Sequence, residues 1–497
     1  MIFRELADRI GDGVLSGPCD REVTGITYDS RKVKEGVVFA ALRGEKVDGH
    51  DYIETALEAG AAGIIAERAP DSDFNGWLHV ADARAALAEA VARFYGNPSK
   101  GMKVCGITGT NGKTTTAFLV HHLASVGYHV AGLLGTVHYD LGDRRVTATH
   151  TTPESSDLQG YFAEMLESGV RAVAMEVSSH GLQQHRVGAV DFDVAVFTNL
   201  SQDHLDFHGD MDSYFAAKRI LFERTAAKDN AKLIVNGDDR FGRRLVEEFQ
   251  GHPGLVTFGF GQWSDFRASE PRSNFEGTEF RLDAKGRQFL VRMPLIGQFN
   301  VLNAVAAIAA ANGLGLNLRE VVNNMADCPQ VPGRLESVSG TAPFKVFVDY
   351  AHTPDAVENA VQTVRDLDPR RVITVFGCGG DRDVMKRAPM AAAAEAGSDI
   401  CIITSDNPRG EDPMKIIEDV KKGFRGDRYT VEADRKAAIE LAVSEARPRD
   451  IVLIAGKGHE TYQEINGKRN PFDDREIARR ALRRKQAEEE QERGERW

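Results

Sequence analysis

The sequence predicts an α/β protein of three successive domains with mostly parallel sheets. Three observations predict it. Short apolar runs that end in a glycine or a turn signal recur along the chain, helical patterns separate most of them, and 497 residues make about three domains at roughly 100–200 residues each. Runs that are apolar throughout, without alternation, suit strands covered on both faces by helices.

The elements follow in order. The N-terminal stretch closes with a helical run over 83–95, and Asn97-Pro98-Ser99 marks the first boundary. The runs MKVCGI (102–107), RAVAMEV (171–177), FDVAVFTNL (192–200) and AKLIVNGDD (231–239) are predicted strands of a second domain. A helix is predicted over TTAFLVHHLASVG (115–127). Pro329, Pro332 and Gly333 follow an Ala-rich helical stretch and mark the second boundary. The domains are therefore expected at 1–97, 98–334 and 335–497. In the third, FKVFVDYAH (344–352), RRVITVFGCGG (370–380), DICIITSDNP (399–408) and RDIVLIAGKGHE (449–460) read as strands, with a helix over 388–397. The mixed-charge segment 475–497 reads as a solvated terminal helix that frays.

Composition excludes several classes. A hydrophobic fraction of 42%, a charged fraction of 27% and a mean hydropathy of −0.33 describe a folded, soluble chain. No run approaches the roughly 18 apolar residues of a membrane span, and the acidic, polar N-terminus does not resemble a secretory signal. Five scattered cysteines with no CxxC pair point to reduced thiols, a cytoplasmic setting and no structural zinc. A net charge of −12 speaks against nucleic acid or a membrane surface as a partner. A monomer is expected.

The most informative segment is Gly106-Ile107-Thr108-Gly109-Thr110-Asn111-Gly112-Lys113-Thr114-Thr115. It follows a predicted strand and opens a predicted helix. Glycines let successive N–H groups turn inward, the helix N-terminus adds positive potential, Lys113 can reach outer phosphates, and a following threonine hydroxyl suits Mg²⁺. Glu176 ends the next strand and fits a metal contact, although Ser178 or Ser179 would equally serve there as a helix cap. His204, in a polar segment at another strand end, is a candidate metal ligand. Lys218, on a predicted helix, is by spacing alone a surface lysine.

Together, GTNGKTT (109–115), EVSSHGL (176–182), TNLSQDHLDFHG (198–209), AAK (216–218), GQFNVLNAVAA (297–307), PGR (332–334), DYAHTPD (349–355), GCGGDRD (377–383), DNPRGEDP (406–413) and AGKGHE (455–460) resemble the Mur ligases. The similarity runs from about Thr27 to Tyr462. It implies an N-terminal α/β domain that binds a UDP-linked precursor, a central P-loop ATPase with a mostly parallel sheet, and a C-terminal Rossmann-like domain that brings in an amino acid. The implied activity is ATP-dependent, Mg²⁺-assisted amide formation in peptidoglycan precursor synthesis.

The resemblance also implies residue roles. Gly109, Thr110, Asn111, Gly112, Lys113, Thr114, Thr115, Asn300, Asn303, Arg334 and Asp349 would hold ATP. Tyr28, Ser30, Glu45, Lys46, Val47, Thr151, Thr152, Ser178, Gln184 and Arg186 would hold the UDP-muramoyl-dipeptide; His150 stands where relatives carry Asn. Lys218 would be carbamylated, which requires a lowered pKa because only the neutral amine reacts with CO₂. Thr115, Glu176, His204 and carbamylated Lys218 would serve the metal, and Lys113, Lys218, Glu176 and His204 the chemistry. Asp406, Asn407, Pro408 and Arg409 look like the motif of diaminopimelate-adding members, with Arg382, Gly456 and Glu460 completing the pocket. A guanidinium can grip the far carboxylate of meso-diaminopimelate bidentately. As a bare sequence, DNPR also reads as a turn after a strand. A folylpolyglutamate synthetase is disfavoured by the long N-terminal segment with DSRKVKEGVVFAALRG (29–44), a lysine-adding ligase by DNPR, and a nucleotide-dependent switch by the pocket motifs of the last third.

Overall fold

The computed structural model describes residues 1–8, 10–11, 13–44, 47–70 and 76–494. They form two compact units: 1–268 with 282–289 and 302–325, and 269–281 with 290–301 and 326–497.

The first unit begins with a five-stranded sheet in the order Val14–Ser16, Trp77–His79, Gly63–Ala66, Val37–Ala40, Gly25–Thr27. Every pairing is parallel except that of Val14–Ser16. Both faces are covered, which accounts for the wholly apolar, buried strands Val37–Ala40 and Gly63–Ala66. Phe3, Leu6, Val38, Leu78, Leu87 and Val91 pack on one side, and Phe39, Ile53, Ile64 and Trp77 on the other. Helix Ala83–Phe94 starts where the Asp82 carboxylate accepts from the N–H groups of Arg84 and Ala85, both at 2.9 Å. Asn97 then turns the chain with φ of 56°, a conformation Asn tolerates.

The larger sheet of this unit runs Leu255–Gly259, Lys232–Asn236, Val194–Phe197, Lys103–Thr108, Ala172–Glu176, Ala131–Leu134, His138–Asp140, Arg145–Thr147. Pairings are parallel up to Ala131–Leu134 and antiparallel beyond it. Lys103–Thr108 lies centrally, between Val194–Phe197 and Ala172–Glu176. Its following loop therefore opens where the chain leaves in two directions, the place where open parallel sheets bind ligands. Helix Lys113–Tyr128 buries Ala117, Leu119, Val120 and Leu123.

The second unit holds a six-stranded sheet in the order Glu336–Ser337, Lys345–Asp349, Ile451–Ala455, Val372–Phe376, Ile400–Ile403, Tyr429–Val431. The short first strand pairs antiparallel and the other pairings are parallel. Helices Pro354–Arg365, Arg387–Gly397, Pro413–Lys421 and Arg435–Glu445 connect the strands. Two apolar clusters form, one with Phe347, Val361 and Phe376, the other with Val346, Ile373 and Ile439.

One expectation is corrected. Helix Asp474–Gly494 is not simply solvated: Ala478, Ala481 and Leu482, one face at helical spacing, are buried in the cluster around Ile439. Strands Phe266–Asn274, Gly277–Ala284 and Arg287–Met293 were not expected. They are rich in polar and charged residues rather than apolar throughout.

All five cysteines are buried and free, as their spacing predicts. Among the described residues no helix is long and apolar enough to cross a membrane.

Candidate active site

The phosphate loop is held from below by the end of a neighbouring strand. Asn199 O accepts from Thr110 N at 2.9 Å, and Asn199 Oδ1 accepts from Asn111 N at 2.9 Å. The Thr198 hydroxyl donates to Asn111 O at 2.6 Å. The segment Thr198–Ser201 thus acts as a template that fixes the loop before any nucleotide arrives. Gly112 sits at φ of 85°, and a side chain there would collide with the Asn303 carboxamide; both reasons demand glycine. Lys113 Nζ donates to Gly109 O at 2.9 Å and Thr110 O at 2.8 Å, folded back over the loop whose anion it would meet.

Glu176 is 1% exposed. Its carboxylate accepts from the Thr114 hydroxyl at 2.9 Å and from Thr136 N and Oγ1 at 2.8 and 3.1 Å. Thr136 Oγ1 is 3.1 Å from Thr151 Oγ1. The structure therefore pairs Glu176 with Thr114, while Thr115 follows it, buried, on the same helix.

Lys218 lies on helix Met211–Ala226 and is 2% exposed, so the surface position suggested by its spacing is corrected. Its Nζ donates to Gly109 O at 2.8 Å and stands 4.4 Å from the centre of the Tyr214 ring. Burial, reinforced by the Lys113 charge, pushes its pKa well below the ordinary lysine value. His204 is half-exposed, 3.4 Å from Asp203, at φ of 53°. Its ring lies 5.0 Å from that of His180, which stacks on Phe207 at 4.1 Å. Desolvation lowers the His204 and His180 pKa values and brings that of His208 down to about 4. These histidines are neutral near pH 7.

Thr151, Thr152, Ser178, Gln184 and Arg186 come together beside Glu176. The Thr152 hydroxyl donates to Glu176 O at 3.0 Å and accepts from Ser178 N at 2.9 Å. Arg186 donates to Gln184 Oε1 at 2.8 Å and Thr152 O at 2.9 Å, and pairs with Glu154 at 3.1 Å. Arg84, from the first sheet's helix, meets the same Glu154 at 3.5 Å. Tyr28 is half-buried, its pKa raised first by burial and then by Asp157 and Glu154. His150 accepts from the Tyr139 hydroxyl through its backbone carbonyl at 2.6 Å. Ser30 opens a short turn whose Asp29 carboxylate accepts from Arg31 N at 3.1 Å. Val47 is exposed. Glu45 and Lys46 lie outside the described residues.

In the second unit, the buried Asn300 donates to Ile296 O at 2.9 Å. Arg334 lies 4.7 Å over the Tyr350 ring. Asp349 accepts from Leu335 N at 2.7 Å and Ala351 N at 2.8 Å; burial raises its pKa while Arg334 opposes the rise.

The strand ends at 406–409 and 456–460 meet in one polar cluster. Asn407 donates to Glu460 Oε2 at 2.9 Å. Arg409, at φ of 51°, donates to Gly380 O at 2.8 Å and lies 3.8 Å from Glu464. Asp406 Oδ1 accepts from Asn407 N at 2.7 Å, whereas Oδ2 is buried with no hydrogen-bond partner among the described residues. Pro408 is buried and Arg382 exposed. Sequence reasoning missed Lys457. It is 0% exposed and donates to Asn407 Oδ1 at 3.0 Å and Glu460 Oε2 at 2.9 Å. A lysine between two glycines directly after an apolar strand was the available signal.

No three His, Cys, Asp or Glu side chains converge as a metal cluster among the described residues. The Glu176 carboxylate and the Thr114 hydroxyl bonded to it are hard oxygens, a donor chemistry that fits Mg²⁺, an ion that keeps waters and substrate phosphates as its other ligands.

The chain matches a Mur ligase family catalytic domain over residues 22–95, a Mur ligase middle domain over 107–311 and a Mur ligase glutamate ligase domain over 333–458. It is 46% identical over 464 residues to a UDP-N-acetylmuramoyl-L-alanyl-D-glutamate–2,6-diaminopimelate ligase of Solibacter usitatus, covering 93% of this chain and 94% of that one. A ligase of the same name from Geobacillus kaustophilus is 44% identical, covering 93% and 95%. A solved structure of such a ligase aligns with a TM-score of 0.72 at 33% identity, covering 98% of this chain and 99% of that one. The three-domain α/β architecture, the phosphate loop on its central strand and this likeness along nearly the whole length agree: the chain belongs to the Mur ligase family.

Proposed function

We propose that the protein joins meso-diaminopimelate to UDP-N-acetylmuramoyl-L-alanyl-D-glutamate with conversion of ATP to ADP and phosphate, a step of peptidoglycan precursor synthesis. The observation that carries the reading is the cluster at 406–409 and 456–460. It offers a guanidinium on Arg409 together with carboxylates on Asp406 and Glu460, complementary to a molecule bearing two ammonium and two carboxylate groups. The proposed domains are 1–97, 98–334 and 335–497, and the protein is read as a cytoplasmic monomer.

The γ-phosphoryl group moves to a side-chain carboxylate oxygen of the D-glutamyl residue, and ADP leaves. The amine nitrogen then attacks the acyl carbon, and a tetrahedral intermediate expels phosphate as the amide forms and the nitrogen sheds its proton. This chain's residues chiefly position and neutralise. Loop N–H groups and Lys113 hold the phosphates, and Asn300, Asn303, Arg334 and Asp349 hold the rest of ATP. Thr151, Thr152, Ser178, Gln184 and Arg186 orient the dipeptide, with Tyr28, Ser30 and the loop at 45–47 on the uridine diphosphate. Mg²⁺, when bound, spreads the charge of the transferring group; Thr115, Glu176 and His204 are its proposed contacts. Lys218, whose ammonium form is disfavoured by burial, attacks CO₂ as the neutral amine and loses a proton, becoming a carbamate anion suited to that same charge balance.

The test is phosphate release with the UDP-dipeptide and a panel of amino acids. Turnover with meso-diaminopimelate well above that with lysine supports the reading. Equal turnover, or release independent of any amino acid, contradicts it.

A further inference from the structure

Arg435 is a large charged side chain buried completely beside the amino-acid pocket, and the proposed reaction steps do not use it. Its guanidinium makes a two-point contact with Asp474, Nε to Oδ1 at 2.8 Å and NH2 to Oδ2 at 2.7 Å. Neither side chain has any exposure. The same guanidinium donates to two backbone carbonyls, Ala455 O at 2.9 Å and Ser405 O at 3.3 Å. These carbonyls belong to the residues just before Gly456 and Asp406. A first side-chain carbon at Gly456 would lie 2.6 Å from Asp406 Oδ2 and 3.7 Å from Arg435 NH2, so the guanidinium packs directly behind Gly456 and close to Asp406.

Burying two full charges is costly and adds little to stability relative to well-packed apolar residues. What a guanidinium supplies here, and an apolar or lysine side chain does not, is a planar fork that bridges four acceptors at once. Asp474 begins the terminal helix Asp474–Gly494, whose Ala478, Ala481 and Leu482 are fixed in the apolar cluster. The carboxylate is thus anchored independently of the pocket.

Resting on the ligase reading above, we infer that Arg435, locked by Asp474, is a positioning residue for the incoming amino acid: it sets the spacing between the strand ends at Ser405 and Ala455, and through them the placement of Asp406 and Gly456. The terminal helix is then a working part of the pocket rather than a tail.

The test compares the full-length protein with the double variant Arg435→Met/Asp474→Leu and the single variant Arg435→Lys. Melting temperature and steady-state KM for diaminopimelate, ATP and the UDP-dipeptide are measured. The double variant replaces the pair by apolar residues of similar size, a change that buried pairs tolerate. The expected result is a melting temperature close to that of the parent and a KM for diaminopimelate raised about tenfold or more, with the other two KM values within about twofold. Arg435→Lys keeps one ion pair but cannot hold both carbonyls, and the same selective rise is expected. If the double variant fails to fold, Arg435→Lys alone decides. An unchanged KM for diaminopimelate in a folded variant, or a parallel rise in all three, overturns the inference. A parent protein with no diaminopimelate-dependent turnover overturns the ligase reading instead, so the two failures are told apart.

Discussion

The Thr114 hydroxyl donates to the Glu176 carboxylate at 2.9 Å, tying the first turn of the phosphate-loop helix to the end of the neighbouring strand. The carboxylate also accepts from Thr136 N and Oγ1, so three donors from two segments are aligned by one buried anion. Glu176→Gln keeps the volume but replaces an acceptor oxygen by an NH₂ that faces donors. Turnover is expected to fall about 10²–10³-fold, the scale of losing one electrostatic contact at a reacting centre. The melting temperature should also drop, since a buried donor is left unpaired. Steady-state kinetics with thermal denaturation checks both.

Lys113 folds over the loop through Gly109 O and Thr110 O, while Thr198 and Asn199 hold the loop without it. Lys113→Ala is therefore expected to remove ATP-dependent amide formation by about 10³-fold or more while the protein stays folded. Retained turnover refutes the phosphate-loop assignment.

Lys218 has its pKa pushed well down by burial and by Lys113. Activity is expected to fall when CO₂ is stripped from the buffer and to return with bicarbonate. Native mass spectrometry should show one added CO₂, absent in Lys218→Ala. An unmodified, fully active parent rules the carbamate out.

Arg409 is fixed by its link to Gly380 O and by the pairing of its backbone with Glu464. Arg409→Ala is expected to reduce kcat/KM for diaminopimelate by about 30–150-fold, as losing a charge-assisted contact of roughly 2–3 kcal/mol does. The KM for the UDP-dipeptide should stay unchanged. An equal loss in both undercuts the pocket assignment.

His459 has its pKa lowered to about 3, chiefly by burial and then by Arg334, Arg475 and Lys457. It stays neutral in the fold while the unfolded chain protonates near its ordinary value of 6.5. Its contribution to stability is therefore present above about pH 6.5 and is lost as pH falls toward the folded value, at up to about 1.4 kcal/mol per pH unit. Between pH 7 and pH 5 the parent should lose roughly 2 kcal/mol more than His459→Gln in denaturant titrations. Parallel slopes for the two proteins contradict this.

Much of the fold was legible because its signals are local. Runs such as MKVCGI, RAVAMEV and DICIITSDNP became the strands Lys103–Thr108, Ala172–Glu176 and Ile400–Ile403, since a strand covered on both faces must be apolar throughout. Phe266–Asn274 escaped because it carries Arg267, Ser269, Glu270 and Pro271, a polar stretch with a proline that reads as loop. The strand, glycine-rich turn and helix around Gly109–Lys113 were legible for the same local reason, the glycines and Lys113 being adjacent in sequence. Lys457 and the Arg435–Asp474 pair were not. A buried charge is defined by its partner, and Asp474 lies 39 residues from Arg435, on a helix whose charges suggest solvent.

The central claim is that a carboxyl group is phosphorylated before an amine displaces the phosphate, and hydroxylamine trapping tests it most directly. With ATP, Mg²⁺ and the UDP-dipeptide, the hydroxamate of the D-glutamyl side chain should form, and added diaminopimelate should suppress it in favour of the tripeptide product. ADP released with neither hydroxamate nor tripeptide would contradict the account.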